Sequence, residues 1–199
     1  MAQSYPLDLP NDYISAINIR MNSAVADTRS PFTYTSDTQV FAGQMWLADI
    51  TLAPMSRPDA AAWTGFFAAL NGKEGRFLLG DPAATSPLGT ATSLTVTGAA
   101  GDSTLAAIVT SGRTLKSGDY FQLGTGIDST LHMVTKDYTG TGAEADLEVF
   151  PALRKDRTSV AATLTNPKGV FVLSTNERGF SISAAQQYNF TFGAMELVA

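Results

Sequence analysis

From Met45 to Pro82 the sequence runs MWLADITLAPMSRPDAAAWTGFFAALNGKEGRFLLGDP, and this stretch holds the clearest helical period in the chain. Up to Leu52 the spacing is two: Trp46, Ala48, Ile50 and Leu52 fall on one face and Leu47, Asp49 and Thr51 on the other, the pattern of a half-buried strand. The period then changes. Ser56 stands where an N-cap is needed, Pro58 suits the first helical turn, and Asp59 places negative charge near the positive end of the helix dipole. Ala62, Trp63, Phe66, Phe67 and Leu70 follow at helical spacing and make one broad apolar face. Asn71-Gly72 supplies a left-handed stop, and RFLL at 76–79 reads as a short strand ended by Gly80-Asp81-Pro82. A strand, a helix and a strand with facing apolar sides need one shared core. Trp46, Trp63, Phe66, Phe67 and Phe77 are the aromatics expected in it.

The remainder reads as strands and turns. Tyr5 to Tyr13, with Pro6 and Pro10, is expected to be extended or irregular. ISAINIRM at 14–21 reads as a strand, NSAVADTRSPF as a polar connection in which Val25 could join a short strand, and the segment from Phe32 to Val40 as a strand with a turn at Ser36-Asp37. From Ala83 the composition becomes small, polar and turn-rich. SLTVTG, TLAAIVT, DYFQLG, HMVTKD and ADLEVF recur at about ten-residue intervals, the spacing of a small β-barrel or sandwich. Composition shifts again near Pro167, after which KGVFVLS, Phe180–Ala184 and YNFTFGAMEL read as strands. Tyr188, Phe190 and Phe192 alternate onto one face, where they either pack on the core or serve as a candidate subunit contact. Gly80, Asp81 and Pro82, with Asn166 and Pro167, are turn signals where a β block departs and returns. The expected organisation is therefore a discontinuous main domain, 1–82 plus 167–199, carrying an all-β insertion at 83–166.

Chemistry-bearing motifs are weak. Gly72-Lys73 sits after a helix and before a strand, the reverse of a phosphate-binding loop, so the dipole at that point has the wrong sign for an anion. GDSTL at 101–105 resembles the block that carries the nucleophile of one esterase family, which would make Ser103 reactive. The only histidine is His132, with Asp128 four residues before it, and neither the place of the block nor its extra Thr104 fits that family. Lone His132 lies in an apolar strand, and Glu144, Asp146 and Glu148 alternate on a strand face as a solvated row does. Neither makes a metal site or an acid/base pair. The expectation is a non-enzyme without cofactor or metal.

Charge and composition narrow the partners. The chain has 199 residues, a formal net charge of −5 and no cysteine. Arg154, Lys155 and Arg157, interrupted by Asp156, are its densest basic group, so no particular nucleic-acid sequence is expected as a ligand, and disulfides and thiolate sites are excluded. MAQSYPLDLPNDY lacks a basic segment followed by an apolar run, and no window reaches ~18 consecutive apolar residues, so the sequence predicts a soluble chain used without secretion and without a membrane span. Only 16% of residues are charged, against about 25% in ordinary globular proteins, which suggests surface covered by other subunits rather than by water. Tyr120, Phe121, Tyr138 and Phe150 are too few and scattered to make an aromatic sugar platform.

WLADITLAPM at 46–55, AAAWTGFFAAL at 60–70, GRFLLGDP at 75–82, GDYFQLG at 118–124 and LHMV at 131–134, together with the interrupted domain, resemble the distal tail proteins of long-tailed bacteriophages. The resemblance implies a mainly β fold with one principal helix: a tail-tube-like β-sandwich or split barrel with an inserted small β-barrel, similar to an oligonucleotide/oligosaccharide-binding (OB) fold rather than a galectin because the block is short. It further implies a structural virion protein, assembled in the host cytoplasm, whose copies form a hexameric ring between the tail-tube protein and the hub or baseplate protein. The insertion would anchor fibres or touch a host-surface glycan, which leaves a carbohydrate-binding adhesion module as the alternative. A net acidic chain also suits a lumen through which DNA slides without sticking.

Overall fold

The structure is a computed structural model and describes residues 3–10 and 13–198; positions 11 and 12 of the expected irregular opening segment lie outside the described residues. It is mainly β, 45% strand against 10% helix, with a single α-helix and a curled, half-barrel sheet. The chain opens with two long strands, β1 (Ile14–Arg29) and β2 (Ser36–Leu52), followed by α1 (Arg57–Leu70) and the short β3 (Phe77–Leu79). Eight strands follow: β4 (Thr95–Gly98), β5 (Thr104–Ile108), β6 (Thr114–Leu115), β7 (Tyr120–Leu123), β8 (Thr130–Val134), β9 (Tyr138–Thr139), β10 (Ala145–Phe150) and β11 (Arg157–Ala161). The chain closes with β12 (Gly169–Leu173), β13 (Ser181–Ile182), β14 (Tyr188–Asn189) and β15 (Thr191–Glu196).

Five strands form one antiparallel sheet in the order β1-β2-β15-β12-β3, so the strands on either side of the β4–β11 stretch, β3 and β12, are hydrogen-bonded neighbours. The stretch between them makes a second sheet, ordered β11-β4-β5-β10-β8-β7, and a small pair of β6 with β9. Each sheet has its own apolar cluster. The first gathers Trp46, Ala48, Ile50 and Leu52 from β2, Trp63, Phe66 and Leu70 from α1, Phe77 and Leu79 from β3, and Phe190 and Phe192. The second gathers Val96, Leu105, Ala107, Phe121, Val134, Leu147 and Val149. The division is not clean, because Leu131 of β8 packs in the first cluster.

Alternation along β2 positions the core as its period predicts: Trp46, Ala48, Ile50 and Leu52 are all buried. In α1 the buried residues are Ala60, Trp63, Phe66 and Leu70, while Ala62, expected on that face, is exposed. Ser56 holds the N-cap position, but its hydroxyl donates to Asp59 Oδ2 at 2.7 Å rather than capping an amide through its own oxygen. Asn71 and Gly72 both adopt left-handed backbone, φ 49° and 69°, and end the helix.

The largest departures from the sequence reading lie before Met45. NSAVADTR is not a connection: β1 continues unbroken to Arg29, and its register with β2 runs to Arg29↔Ser36. The turn lies at residues 30–35, not at Ser36-Asp37, which begin β2. Polar residues concealed this strand because its partner, not its own apolar period, defines it. Near the C-terminal end, the expected strand at 180–184 shrinks to Ser181–Ile182, and the expected continuous strand from Tyr188 is interrupted at Phe190.

Candidate functional site

The β1–β2 hairpin has two unlike halves. From Ile17↔Ile50 to Met21↔Trp46 its inner face rests on the first cluster, and β15 pairs with β2 from Thr51 to Leu47. The ladder with β15 ends there because the next amide, Trp46 N–H, donates to the Glu196 carboxylate at 3.0 Å instead of to a backbone carbonyl. Beyond that point β1 and β2 continue alone as a two-stranded arm about 30 Å long at ~3.4 Å per residue. Every residue from Arg20 to Arg29 and from Ser36 to Gly43 is at least partly exposed.

The arm is built with care at its end. Ser30 N–H donates to Thr35 O at 2.9 Å and Tyr34 N–H to Ser30 O at 3.0 Å, while Thr33 and Thr35 hydroxyls meet at 2.8 Å. These bonds close the loop with Tyr34 in left-handed backbone, φ 56°. Midway, a bulge falls between Ser23↔Gln44 and Val25↔Val40, which bends and twists the ribbon.

The arm exposes a disproportionate share of the large apolar side chains. Of twelve exposed large hydrophobics among the described residues, six stand on it: Met21, Val25, Phe32, Tyr34, Val40 and Phe41, with Phe32 90% exposed. Met21 pairs with Trp46, and Val25 with Val40, so both lie on the continuation of the core face past the end of the core. Neither strand carries the lysine or proline that commonly protects an exposed edge. At the other side of the sheet the edge is covered by the chain itself: Leu7 N–H donates to Arg76 O and Leu78 N–H to Leu7 O, both at 2.9 Å. One edge is sealed; the other is open.

The root of the arm is clamped to the second sheet. Trp46 Nε1 donates to Leu131 O at 2.9 Å, and its ring lies edge-on to Phe150 at 5.1 Å and beside Tyr120 at 5.8 Å. Gln44 Oε1 accepts Ala152 N–H at 2.8 Å, and Arg154 Nη2 donates to Gln44 O at 2.6 Å and Glu196 Oε2 at 2.8 Å. The Arg154 and Glu196 side chains are 8% and 2% exposed, so this ion pair is buried. Burial raises the Glu196 carboxyl above its ordinary range, against the lowering pull of Arg154 and of the Trp46 amide. Sequence reasoning missed this clamp: the two charges stand 42 residues apart and nothing local marks them.

The junction turns meet. A Cβ on Gly80 would stand 2.1 Å from Pro167 O, so only glycine lets the departing chain pass the returning one so closely. Asn166 is left-handed, φ 46°, and its N–H donates to Thr85 O at 3.2 Å; Asp81 Oδ1 accepts Ala83 N–H at 2.9 Å beside Pro82. Trp46, Trp63, Phe66, Phe67 and Phe77 lie in or against one cluster. Phe190 and Phe192, weighed as a subunit contact, are 2% and 3% exposed and pack on Phe67 of their own chain at 5.8 and 5.1 Å; Tyr188 is half-buried. Phe190 and Phe192 therefore pack chiefly on their own chain's core, and Phe190 also borders a cleft beside Phe67.

The residues of the weighed hydrolase are not brought together. His132 is fully buried, stacked on Phe121 at 5.5 Å, with Nδ1 2.8 Å from Pro151 O and Nε2 3.0 Å from Thr130 Oγ1. A carbonyl only accepts, so Nδ1 carries the proton and Nε2 accepts from the threonine. Burial holds this imidazole down at about 4. Asp128 is bound by Lys155 and Arg157 at 2.9 and 2.6 Å, and Ser103 is exposed. Asp146 and Glu148 are exposed along β10, and Glu144 is exposed just before it. Among the described residues no cluster of three or more metal-ligating side chains occurs, and no helix is long and apolar enough to cross a membrane.

No protein-family model matches this chain, and no curated protein matches it.

Proposed function

We propose that this protein is a structural subunit of the tail tip of a long-tailed bacteriophage, a distal tail protein that forms a hexameric ring joining the tail tube to the hub or baseplate. One observation carries the reading. The chain builds a long, ordered hairpin and leaves its distal half, with six large apolar side chains and open edges, without an intramolecular partner. An isolated two-stranded ribbon is marginal in water, and such edges are templates for pairing with another chain. A ring subunit gives them that partner.

The finer architecture belongs to the same reading. The five-stranded sheet with α1 corresponds to the tail-tube-like sandwich or split barrel, and the β4–β11 stretch to the OB-like insertion. The subunit works in the virion after assembly in the host cytoplasm, with the tail-tube and hub proteins as neighbours. The net charge of −5 suits a lumen that repels DNA, an idea sunk if the ring's inner wall proves net positive. A glycan-binding role for the insertion finds no aromatic platform: Phe121 and Tyr138 are buried, and Tyr120 and Phe150 pack half-buried against Trp46.

The test is the particle mass in solution by light scattering, with electron microscopy of the chain mixed with tail-tube and hub proteins. Rings are expected. A stable monomer with no affinity for either neighbour overturns the reading.

A further inference from the structure

The strand register shows where the arm could be received. The arm leaves the main sheet at the end marked by Trp46 and Glu196. β15 runs antiparallel to β2, with Thr191↔Thr51, and β12 antiparallel to β15, with Leu173↔Ala194, so residues 174–190 gather at the opposite pole. There the structure has a cleft of about 290 Å³, lined among others by Thr64, Phe67, Ala68, Arg178, Phe180 and Phe190. Its size lies at the lower limit of small-molecule sites, about 300–1,000 Å³, and suits one aromatic side chain. Two larger clefts, about 580 Å³ at the start of α1 and about 520 Å³ at the Gly80–Pro167 junction, have at most one aromatic wall.

Two features mark the aromatic cleft. Phe180, 47% exposed, leans on Tyr188 and Phe190 at 5.5 and 5.6 Å and leaves apolar surface bare. Arg178 donates through Nη1 to Thr175 Oγ1 and Glu177 O, at 2.6 and 2.8 Å, while its Nε is buried with no acceptor. The cleft is apolar along Phe67 and Phe180 and donor-lined at Arg178, so it favours an uncharged incoming group that brings a ring and a hydroxyl acceptor. The arm tip is such a group. SPFTYT at 30–35 holds no charge, and it presents Phe32 and Tyr34 at 90% and 74% exposure, the tyrosine with a hydroxyl that accepts.

We propose that the arm tip of one copy, Phe32 to Tyr34, seats in the cleft between Phe67, Phe180 and Arg178 at the opposite pole of a second copy. The proposal rests on the ring reading for its biological setting and on the two poles for its geometry. Donor and receiver are different surfaces, so the contact is heterologous: it closes into a ring where the rotation permits and otherwise grows as an open chain.

The absence of cysteine from the chain makes the test clean. Thr33→Cys places a thiol in the tip, Ala68→Cys at the cleft, and Ser86→Cys on the exposed surface of the connection after β3 as a control. Equimolar mixtures of the full chains are oxidised mildly and run without reductant, beside native mass measurement of the unmodified protein. The T33C plus A68C mixture should give on the order of tenfold more reducible heterodimer than T33C plus S86C, because a seated tip raises the local thiol concentration. Equal yields in the two mixtures, T33C homodimers alone, or no heterodimer overturn the seat. Closed rings without the T33C–A68C link refute this contact and leave the ring standing. The link without closed rings supports the contact and refutes the ring, and neither refutes both.

Discussion

The root and the distal half of one hairpin obey the same backbone rules and meet opposite surroundings. Along Ile17–Met21 and Trp46–Leu52 the pairs lie on a buried cluster, and Trp46 is 1% exposed. Past Trp46 the same two strands stay paired, through one bulge, as far as Arg29↔Ser36, yet Val40 directly opposite Val25 is 74% exposed. Hydrogen-bonded pairing therefore extends well beyond the apolar burial that usually stabilises it. The difference separates two demands on one element. The root holds this chain together, and on the proposed ring reading the arm is held by another.

Substitutions should divide the same way: at the root they cost folding stability, and on the arm they cost association. The largest effect is expected at Trp46. Trp46→Ala removes a buried ring from Tyr120 and Phe150 and leaves Leu131 O without its donor, a loss of about 3–5 kcal/mol by denaturant unfolding. Trp46→Phe keeps most of the packing and should recover the larger part. Equal losses from both variants would show that the indole hydrogen bond, not the ring, fixes the root.

Next is the buried pair beneath the root. Arg154→Met strands the Glu196 carboxylate at 2% exposure and should cost about 3–5 kcal/mol at neutral pH. Glu196 has its proton affinity raised by burial, so its favourable contribution is full below the ordinary carboxylate range and is lost as pH rises through its raised value. Removing Arg154 deletes two lowering influences and drives the carboxyl higher still. The gap between variant and parent should therefore narrow as pH falls and Glu196 takes its proton. A gap constant with pH would mean that Arg154 acts by packing alone. Glu196→Gln, which keeps an acceptor for Trp46 N–H, should cost less than Arg154→Met.

The second sheet offers an acid-side probe that the arm lacks. His132, buried and held at about 4 against an ordinary 6.5, contributes stability present above about 6.5 and lost as pH falls towards 4. The loss across that window is roughly 3 kcal/mol, at ~1.4 kcal/mol for each unit of depression. Unfolding midpoints between pH 7 and 4 would read it, and His132→Gln should flatten the slope. A variant with the parent's slope would assign the acid sensitivity to another group.

How much of this was legible follows the same division between local and distant causes. Trp46, Ala48, Ile50 and Leu52 announced a core strand because a period of two is written in consecutive residues. Trp63, Phe66 and Leu70 likewise announced the face of α1, though Ala60 rather than Ala62 completes it, since alanines on three adjacent positions carry no directional signal. The β2–β15 stop was invisible because Trp46 N–H ends that ladder on a side chain 150 residues away. The arm was misread for a related reason: NSAVADTR has no apolar period, and only its pairing with residues 36–45 makes it a strand. Ser30-Pro31 was the better turn signal than Ser36-Asp37, being a Ser-Pro pair. Sequence revealed what buries itself and hid the strand that stays exposed.

The smallest effect on the folded monomer is expected where the effect on assembly is greatest. Phe32 and Tyr34 touch solvent over most of their surface, so Phe32→Ser with Tyr34→Ser should move the unfolding midpoint by no more than about 0.5 kcal/mol. The loop bonds of Ser30, Thr33 and Thr35 do not use either ring, so the tip keeps its shape. Association should fall sharply, because central aromatic anchors dominate such contacts. Val40→Thr, opposite Val25, keeps β-branching and removes only one methyl-for-hydroxyl exchange on the arm's inner stripe. It should weaken association less than the tip pair and leave the monomer unchanged. If instead the tip variants unfolded more easily while assembling as before, the arm would be part of its own chain's stability after all. The contrast between root and tip would then collapse into a gradient along one strand pair.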